Sequence, residues 1–165
     1  MSPPIDAVLA EARRYLKVRE VPYASNHAIA IDYWLAEVGS PSPALPKTGY
    51  PWCAAFVWNM GRQALGAAAW LLPRSASVQY LHDWGQSKGL IQEAPAVGDI
   101  FLLWESGLTP PRFGHTGYVT AVNTDGSCAT IEGNTNPGGS RDGFGVFERV
   151  RKFGTSDRFL RWSVP

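Results

Sequence analysis

The chain of 165 residues has an ordinary globular composition, with 45% hydrophobic residues, 18% charged residues and a formal net charge of +1. This balance argues against a disordered chain, and the absence of a Lys/Arg run argues against nucleic-acid binding. Two cysteines are too few for a disulfide framework. No apolar run is long enough to span a membrane. The length suits a single domain over residues 1–165 with a substantial hydrophobic core.

The first part of the chain has the apolar spacing of helices. A first helix is predicted from Pro4 to Val18. Its apolar stripe consists of Ile5, Val8, Leu9, Ala12 and Leu16. A second helix is predicted to start at a cap formed by Ser25 or Asn26 and to end at Val38. Its buried side consists of Ala28, Ile31, Leu35 and Val38. The Pro- and Ser-rich segment 39–49 is predicted to be an irregular, exposed loop.

The segment 50–65, Y-P-W-C-A-A-F-V-W-N-M-G-R-Q-A-L, predicts a third helix. Pro51 disfavours helix at the residue before it, so the helix is expected to begin at Trp52 or Cys53 and to end near Gly66. Its apolar face consists of Ala54, Val57, Trp58, Gly61 and Leu65. A thiol at a helix start lies at the positive end of the helix dipole, which favours the thiolate. Cys53 is therefore either a nucleophile or a small buried hydrophobic residue.

The second part of the chain changes from helices to strands. A fourth helix is predicted after a cap at Ser75 or Ser77 and before Gly89. From Gly98 onward, short runs of Val, Ile, Phe and Thr alternate with turn residues. They predict strands at residues 99–104, 115–122, 129–132, 146–150 and 159–162. Residues 123–126, N-T-D-G, form a predicted hairpin connection. Helices followed by antiparallel strands indicate an α+β fold.

Three histidines are available as a general base for Cys53. His27 lies at a helix start and His82 lies within a predicted helix, which favours surface or packing roles for both. His115 opens a strand in F-G-H-T-G-Y-V, where flanking glycines permit close approach of another group. Glu132 and Asn134 lie two residues apart and share a face if the chain is extended. Such groups orient a catalytic imidazole, although each also fits an ordinary strand end or turn.

Taken together, a cysteine at a helix start, a histidine opening a strand and a polar group on the next strand follow the order of papain-like cysteine hydrolases. The chain resembles a CHAP domain, the cysteine, histidine-dependent amidohydrolase/peptidase of bacterial and phage wall-degrading enzymes. The matching segments are V-R-E-V-P at 18–22, P-W-C-A-A-F-V at 51–57, G-D-I-F-L-L at 98–103, G-H-T-G-Y-V at 114–119 and I-E-G-N-T-N at 131–136.

The resemblance implies a papain-like fold, with N-terminal helices packed on a C-terminal antiparallel sheet of about five strands. It also implies that Cys53 is the nucleophile, that His115 is the base and that Glu132 and Asn134 are the orienting groups. The substrate class of the family is peptidoglycan. The expected reaction is cleavage of a wall amide through a cysteine thioester, by an N-acetylmuramoyl-L-alanine amidase or a stem or cross-bridge endopeptidase.

Three aromatic residues lie close in sequence to these motifs, namely Trp52, Trp104 and Phe113. They are predicted to form an aromatic wall for sugars or stem peptide, with a role in the core as the alternative for each. Two alternatives to hydrolysis remain open. One is a transacylase that uses the same thioester, and the other is a non-catalytic wall-binding module of the same fold.

No cofactor or metal is expected. Some CHAP domains bind calcium through an acidic loop before the cysteine, but residues 39–50 contain no carboxylate. No Cys/His spacing resembles a zinc site. Cys128 is predicted to be a packing residue or partly exposed rather than a second catalytic thiol.

The start of the sequence lacks the basic residues and apolar block of a signal peptide. The sequence therefore predicts synthesis in the cytoplasm and signal-independent delivery to the wall. Delivery of this kind fits a phage lysin or a secreted antibacterial effector, and the effector would have an immunity protein as its partner. The chain is expected to act as a monomer.

Overall fold

The structure is a computed structural model, and it describes residues 3–39, 48–138 and 142–162. Within these ranges, four helices come first and the strands follow them. The helices are α1 (Pro3–Arg14), α2 (Ile29–Val38), α3 (Cys53–Leu65) and α4 (Val78–Ser87). None of the helices in these ranges has the length and apolar character needed to cross a membrane. The predicted loop at 39–49 lies largely outside the described residues.

The strands form one six-stranded antiparallel sheet in the order β1-β6-β2-β3-β4-β5. They are β1 (Ile91–Gln92), β2 (Ile100–Glu105), β3 (Arg112–Val122), β4 (Cys128–Thr135), β5 (Gly145–Arg151) and β6 (Arg158–Leu160). The α+β class and the order of helices before sheet are confirmed. The sheet has one strand more than the five predicted, because the two residues of β1 are too few to show an alternating pattern.

Helix α3 is the centre of the hydrophobic core. Every residue from Cys53 to Gly61 is buried, so the apolar face predicted from the spacing extends around the whole first part of the helix. Helices α1 and α2 pack against α3, and so do strands β3 and β4. The Tyr118 hydroxyl on β3 donates a hydrogen bond of 2.6 Å to the Val57 carbonyl. This bond fixes α3 against the strand that also carries His115.

The two faces of the sheet have different packing. The face toward the helices contributes Ile100, Leu102, Tyr118, Ile131, Val146 and Leu160 to the main core. Alternate strand positions point to the other face. They form a smaller cluster of Phe101, Val119, Cys128 and Phe159, covered by Leu103 and Phe153. Cys128 is fully buried there, which confirms the prediction of a packing role.

The predicted end of α1 is wrong. The helix ends at Arg14 and not at Val18, because the N–H of Tyr15 bonds three residues back instead of four and the chain tightens into turns. Arg19 then forms an isolated antiparallel bridge with Gly145. The N-terminal segment therefore closes onto the far edge of the sheet beside β5.

The predicted cap of α2 is also wrong. The helix begins at Ile29 after Ala28, which makes no side-chain capping bond. The Ser25 hydroxyl instead donates to the Pro22 carbonyl at 2.5 Å, and Asn26 has a left-handed φ of 58°. Both polar residues therefore belong to a turn before the helix. The residues that α2 buries are Ile31, Trp34, Leu35 and Val38, so Trp34 takes the place predicted for Ala28.

Two local predictions are confirmed by hydrogen bonds. Ser77 caps α4 by accepting the N–H of Tyr80 at 3.2 Å. In the turn between β3 and β4, the N–H of Asn123 donates to the Ser127 carbonyl at 2.8 Å. This second bond closes the hairpin that brings β3 and β4 side by side.

Candidate active site

The helix that organises the core also begins at the candidate nucleophile. Cys53 is the first residue of α3, as predicted, and it is 2% exposed. Trp52 occupies the N-cap position without a side-chain capping bond, and the first turn, which lies within the described residues, contains no acidic residue. The N–H groups of this turn and the positive end of the dipole thus act on the thiol without a nearby capping carboxylate.

The hairpin of β3 and β4 holds a buried imidazole against a buried carboxylate. His115 on β3 and Glu132 on β4 are both fully buried. His115 Nε2 lies 2.9 Å from Glu132 Oε2. The other ring nitrogen, Nδ1, is buried and has no hydrogen bond of standard geometry to the described residues. The Cys53 thiol is one of the groups that raise the pKa of His115, which indicates that the thiol lies beside the same imidazole. The structure therefore brings Cys53, His115 and Glu132 together.

The charges of this cluster support one another. Burial alone lowers the pKa of His115, but hydrogen bonding and charge from Cys53 and Glu132 outweigh it and raise that pKa from 6.5 to about 9. Burial raises the pKa of Glu132, but Arg151 and His115 outweigh it and lower that pKa from 4.5 to about 2. At neutral pH the cluster contains an imidazolium and a carboxylate. An imidazolium beside Cys53 favours a thiolate, the form that attacks carbonyl carbons.

Glu132 has two further partners that the sequence did not indicate. Arg151 on β5 donates through Nε to Oε1 at 2.5 Å and through Nη2 to Oε2 at 2.6 Å. Thr130 donates its hydroxyl to Oε1 at 2.6 Å. Thr130 was within reach of sequence reasoning, because it lies two residues before Glu132 on the same face of β4. Arg151 was not, because its place depends on the register between β4 and β5.

Two glycines make room for this arrangement. A Cβ atom at Gly117 would lie 2.6 Å from the Ile131 carbonyl oxygen and 2.9 Å from Glu132 Cγ. A Cβ atom at Gly133 would lie 2.6 Å from the Trp52 ring and 2.7 Å from Phe56 Cβ. Gly117 thus leaves space for the carboxylate beside β3, and Gly133 lets the start of α3 approach β4. The glycines in the two sequence motifs, G-H-T-G and E-G-N, are the signal for this close approach.

Asn134 is buried on β4 but does not continue the extended chain from Glu132. Its backbone φ is 56°, and the pairing of β4 with β5 shifts register between Glu132 and Thr135. The strict alternation expected for Glu132 and Asn134 is therefore interrupted at this point. The role of Asn134 as an orienting group stays a prediction.

The structure corrects the prediction that Trp52 lines the substrate site. Trp52 is fully buried and packs against Trp34, with ring centroids 5.7 Å apart. Its Nε1 donates to the buried carboxylate of Glu20 at 2.9 Å. A side chain enclosed in this way has no face left for a sugar or peptide. Trp52 instead ties the start of α3 to Glu20, which lies in the segment between α1 and α2.

The other two predicted wall residues lie together where the end of β2 pairs with the start of β3. Trp104 is 39% exposed and meets Phe113 edge-on, with ring centroids 5.2 Å apart. Phe113 is 7% exposed, and the His82 ring stacks on it at 4.2 Å. Trp104 therefore provides the solvent-exposed aromatic surface, and the buried Phe113 ring packs against it. His115 follows Phe113 by two residues on the same strand.

The remaining polar residues form no second centre in the described part of the chain. His27 Nδ1 lies 2.8 Å from Asp32 Oδ1, and His82 Nδ1 lies 2.9 Å from Asp83 Oδ1. These contacts are of the surface and packing kind expected for both histidines. Among the described residues, no three His, Cys, Asp or Glu side chains are grouped for a metal ion.

The CHAP domain model matches residues 45–134, which include Cys53, His115 and Glu132. The chain belongs to the CHAP domain family. The prediction of a cysteine- and histidine-dependent amidohydrolase or peptidase is thereby confirmed. The match ends at residue 134, so a single CHAP domain over the whole of residues 1–165 stays a prediction.

The chain is also similar to a crystal structure of an N-acetylmuramoyl-L-alanine amidase from Staphylococcus aureus, with 18% identity and a TM-score of 0.47. The similarity covers 74% of this chain and 33% of the amidase chain. This chain thus spans a third of the length of that protein. No curated protein matches the sequence.

Proposed function

We propose that this CHAP domain is a peptidoglycan hydrolase that cleaves a wall amide through a thioester on Cys53. The observation that carries the proposal is the Cys53–His115–Glu132 cluster at the start of α3. The imidazole is buried, contacts a carboxylate at 2.9 Å and lies beside a thiol at a helix N-terminus. This is the arrangement of catalytic groups in cysteine hydrolases.

In the proposed mechanism the Cys53 thiolate attacks the amide carbonyl carbon and forms the C–S bond. The carbonyl oxygen becomes an oxyanion, and the Cys53 N–H at the uncapped start of α3 donates to it. The His115 imidazolium gives its proton to the amide nitrogen, so the C–N bond breaks and the amine leaves. His115, now neutral, takes a proton from water as the water attacks the thioester. The carboxylic acid leaves, and the thiolate and imidazolium are restored.

Peptidoglycan supplies both the amide bonds and the sugars that this site accommodates. Wall-degrading enzymes are the setting in which the CHAP family is known, and the exposed ring of Trp104 offers a flat apolar surface for a sugar or a stem peptide. Phe113 packs edge-on against that ring at the start of β3, the strand that carries His115. Trp104→Ala is expected to raise KM more than it lowers kcat, because it removes binding surface without touching the catalytic groups.

Two bonds fit the mechanism equally well, namely the N-acetylmuramoyl-L-alanine amide and an amide within the stem or cross-bridge peptide. Mass spectrometry of products from purified peptidoglycan separates them. The amidase releases intact stem peptides and peptide-free glycan, whereas the endopeptidase leaves truncated peptides on the glycan. Cys53→Ala serves as the matched control. Unchanged peptidoglycan with folded wild-type protein overturns the proposed substrate.

The same product analysis tests the two alternatives. A transacylase passes the acyl group from Cys53 to a substrate amine, so its products contain new amides in place of free carboxylates. A non-catalytic wall-binding module binds peptidoglycan and releases nothing. The buried charges of His115 and Glu132 favour an enzyme over such a module, because a buried ion pair is a weak source of stability and a simple binding surface does not require one.

The proposal extends to how the protein reaches its substrate. As a phage lysin or a secreted effector, it acts on peptidoglycan outside the cytoplasm, and an effector has an immunity protein that blocks the site. Expression inside a bacterial host is then harmless, and fusion to a cleavable export signal makes it lytic. Viability and turbidity with and without the signal measure this, and Cys53→Ala cancels the lysis. Equal killing by the unexported protein contradicts peptidoglycan as the target.

A further inference from the structure

Arg151 reaches the catalytic cluster from the edge strand β5. Its guanidinium bonds both oxygens of Glu132, with Nε to Oε1 at 2.5 Å and Nη2 to Oε2 at 2.6 Å. Oε2 is also the oxygen that faces His115 Nε2 at 2.9 Å. The Arg151 side chain is 15% exposed, whereas Glu132 is fully buried. One carboxylate oxygen thus joins the arginine to the imidazole.

The guanidinium makes a buried charge on Glu132 possible. A carboxylate taken out of water binds a proton unless opposite charges or several donors compensate it. In this cluster the charges alternate from the His115 imidazolium through the Glu132 carboxylate to the Arg151 guanidinium. Without Arg151, the carboxylate would keep, among the described residues, the imidazolium and the Thr130 hydroxyl as partners. A protonated Glu132 stabilises an imidazolium far less than the carboxylate does.

The two bonds from the Arg151 guanidinium also fix the orientation of the Glu132 carboxylate. Two parallel bonds from a planar guanidinium define the plane of the carboxylate group, which a single donor does not do. The Thr130 hydroxyl adds a third bond to Oε1 at 2.6 Å. Oε2 is thereby held on the line toward His115. An ammonium group at the same place supplies the charge but not the two-point geometry.

We propose that Arg151 is a positioning residue that holds Glu132 ionised and aimed at His115, and that it thereby sets the low-pH limit of the Cys53–His115 ion pair. This role rests on the proposed function of Cys53 and His115. It assigns part of the catalytic apparatus to β5, which follows the residues matched by the family model.

The other charged and titratable groups near Glu132 do not take over this role. Arg149 lies on β5 opposite Thr130, but it makes no bond to Glu132, and its Nε has no hydrogen-bond partner among the described residues. Cys128 lies opposite Arg151 in the register, and burial raises the pKa of its thiol, so it stays neutral. Arg149 is therefore a matched control, because it has the same charge on the same strand without the contact.

The test is the pH dependence of Cys53 alkylation by iodoacetamide from pH 3 to pH 10, measured by peptide mass spectrometry. This reaction needs no peptidoglycan. In Arg151→Gln the acid limb is expected to move up by at least about one pH unit, because an adjacent opposite charge lowers a carboxyl pKa by roughly 1–3 units. Above the pKa of His115 the thiolate still reacts with iodoacetamide, so the alkaline part of the profile is expected to match that of the wild type. Arg151→Lys is expected to shift the acid limb less, and Arg149→Gln to leave it unchanged.

Two outcomes overturn the role of Arg151. They are an unchanged acid limb in both Arg151 variants and an equal shift in Arg149→Gln. Circular dichroism checks folding, and Arg151→Lys decides the matter if Arg151→Gln does not fold. A wild-type profile that follows an ordinary thiol near pH 8.5 counts instead against the Cys53–His115 pair and the proposed function.

Discussion

The two cysteines occupy equally buried positions, but their surroundings are opposite in character. Cys53 is 2% exposed and Cys128 is 0% exposed. Cys128 lies among Phe101, Val119 and Phe159 on the outer face of the sheet, and burial raises the pKa of its thiol. Cys53 begins a helix and interacts with His115, which Glu132 holds as an imidazolium. Because the two thiols are about equally buried, we expect the groups placed around each thiol to decide which of them is reactive.

Replacement of each cysteine by alanine is expected to give the largest difference between the two regions. Cys53→Ala removes the atom that forms the thioester, so hydrolysis of peptidoglycan falls by at least about a thousandfold. Cys128→Ala removes only packing atoms, so it reduces stability and leaves kcat near the wild-type value. Wall-lysis assays and circular dichroism measure both effects. Turnover retained by folded Cys53→Ala contradicts the cysteine mechanism.

Removal of the charge on Glu132 is expected to weaken the His115 imidazolium, which distinguishes the surroundings of Cys53 from those of Cys128. Glu132→Gln keeps the shape but leaves His115 without a carboxylate, so kcat falls by roughly a hundred- to ten-thousandfold. The alkaline limb of activity also moves down from about 9 toward 6.5, because the imidazolium loses a stabilising partner. A pH–rate profile of folded Glu132→Gln measures this. A wild-type alkaline limb in that variant contradicts the assigned contact.

A smaller effect is expected from crowding the carboxylate without changing any charge. In Gly117→Ala the new Cβ contacts the Ile131 carbonyl oxygen and Glu132 Cγ at less than 3.0 Å, so Glu132 must move. We expect a loss of about 1–3 kcal/mol in stability and roughly a tenfold loss of activity. Gly107→Ala is the control, because nothing lies within 4 Å of its Cβ. Equal effects of both substitutions contradict a specific role for the space at Gly117.

The mildest change uses pH alone. The pKa of His115 is raised from 6.5 to about 9, so its contribution to stability is complete below pH 6.5 and is lost as pH rises through 9. The pKa of Glu132 is lowered from 4.5 to about 2, so its contribution is complete above pH 4.5 and is lost as pH falls through 2. The Tm is therefore expected to be highest between pH 4.5 and 6.5. His115→Ala should flatten the alkaline decrease, and an unchanged decrease contradicts its assignment to His115.

The sequence predicted the parts of the fold that depend on local patterns. The start of α3 at Cys53, the Ser77 cap and the turn after β3 follow from a proline, a capping serine and the turn sequence Asn-Thr-Asp-Gly, each within a few residues. The end of α1 was missed because it depends on the distant bridge between Arg19 and Gly145. Tertiary contacts of this kind leave no periodic trace in the local sequence.

The residues of the candidate site also divide into those that local sequence patterns predicted and those that depend on tertiary contacts. Cys53, His115 and Glu132 lie in short motifs whose order resembles a known family, and they were all selected from the sequence. Arg151 was missed because a lone arginine on a strand gives no sign of its partner until the register of β4 and β5 is known. Trp52 was assigned to the substrate wall because proximity in sequence to Cys53 does not reveal which way a side chain points.

Differential alkylation of the two thiols tests the central claim most directly. Native protein at pH 7 is treated with iodoacetamide, and the labelling rates of Cys53 and Cys128 are read from their peptides. Cys53 is expected to react at least about tenfold faster, because an imidazolium and a helix N-terminus favour its thiolate whereas burial keeps Cys128 neutral. In His115→Ala the Cys53 rate is expected to fall toward that of Cys128. Equal labelling of both thiols in the native wild-type protein would contradict the account.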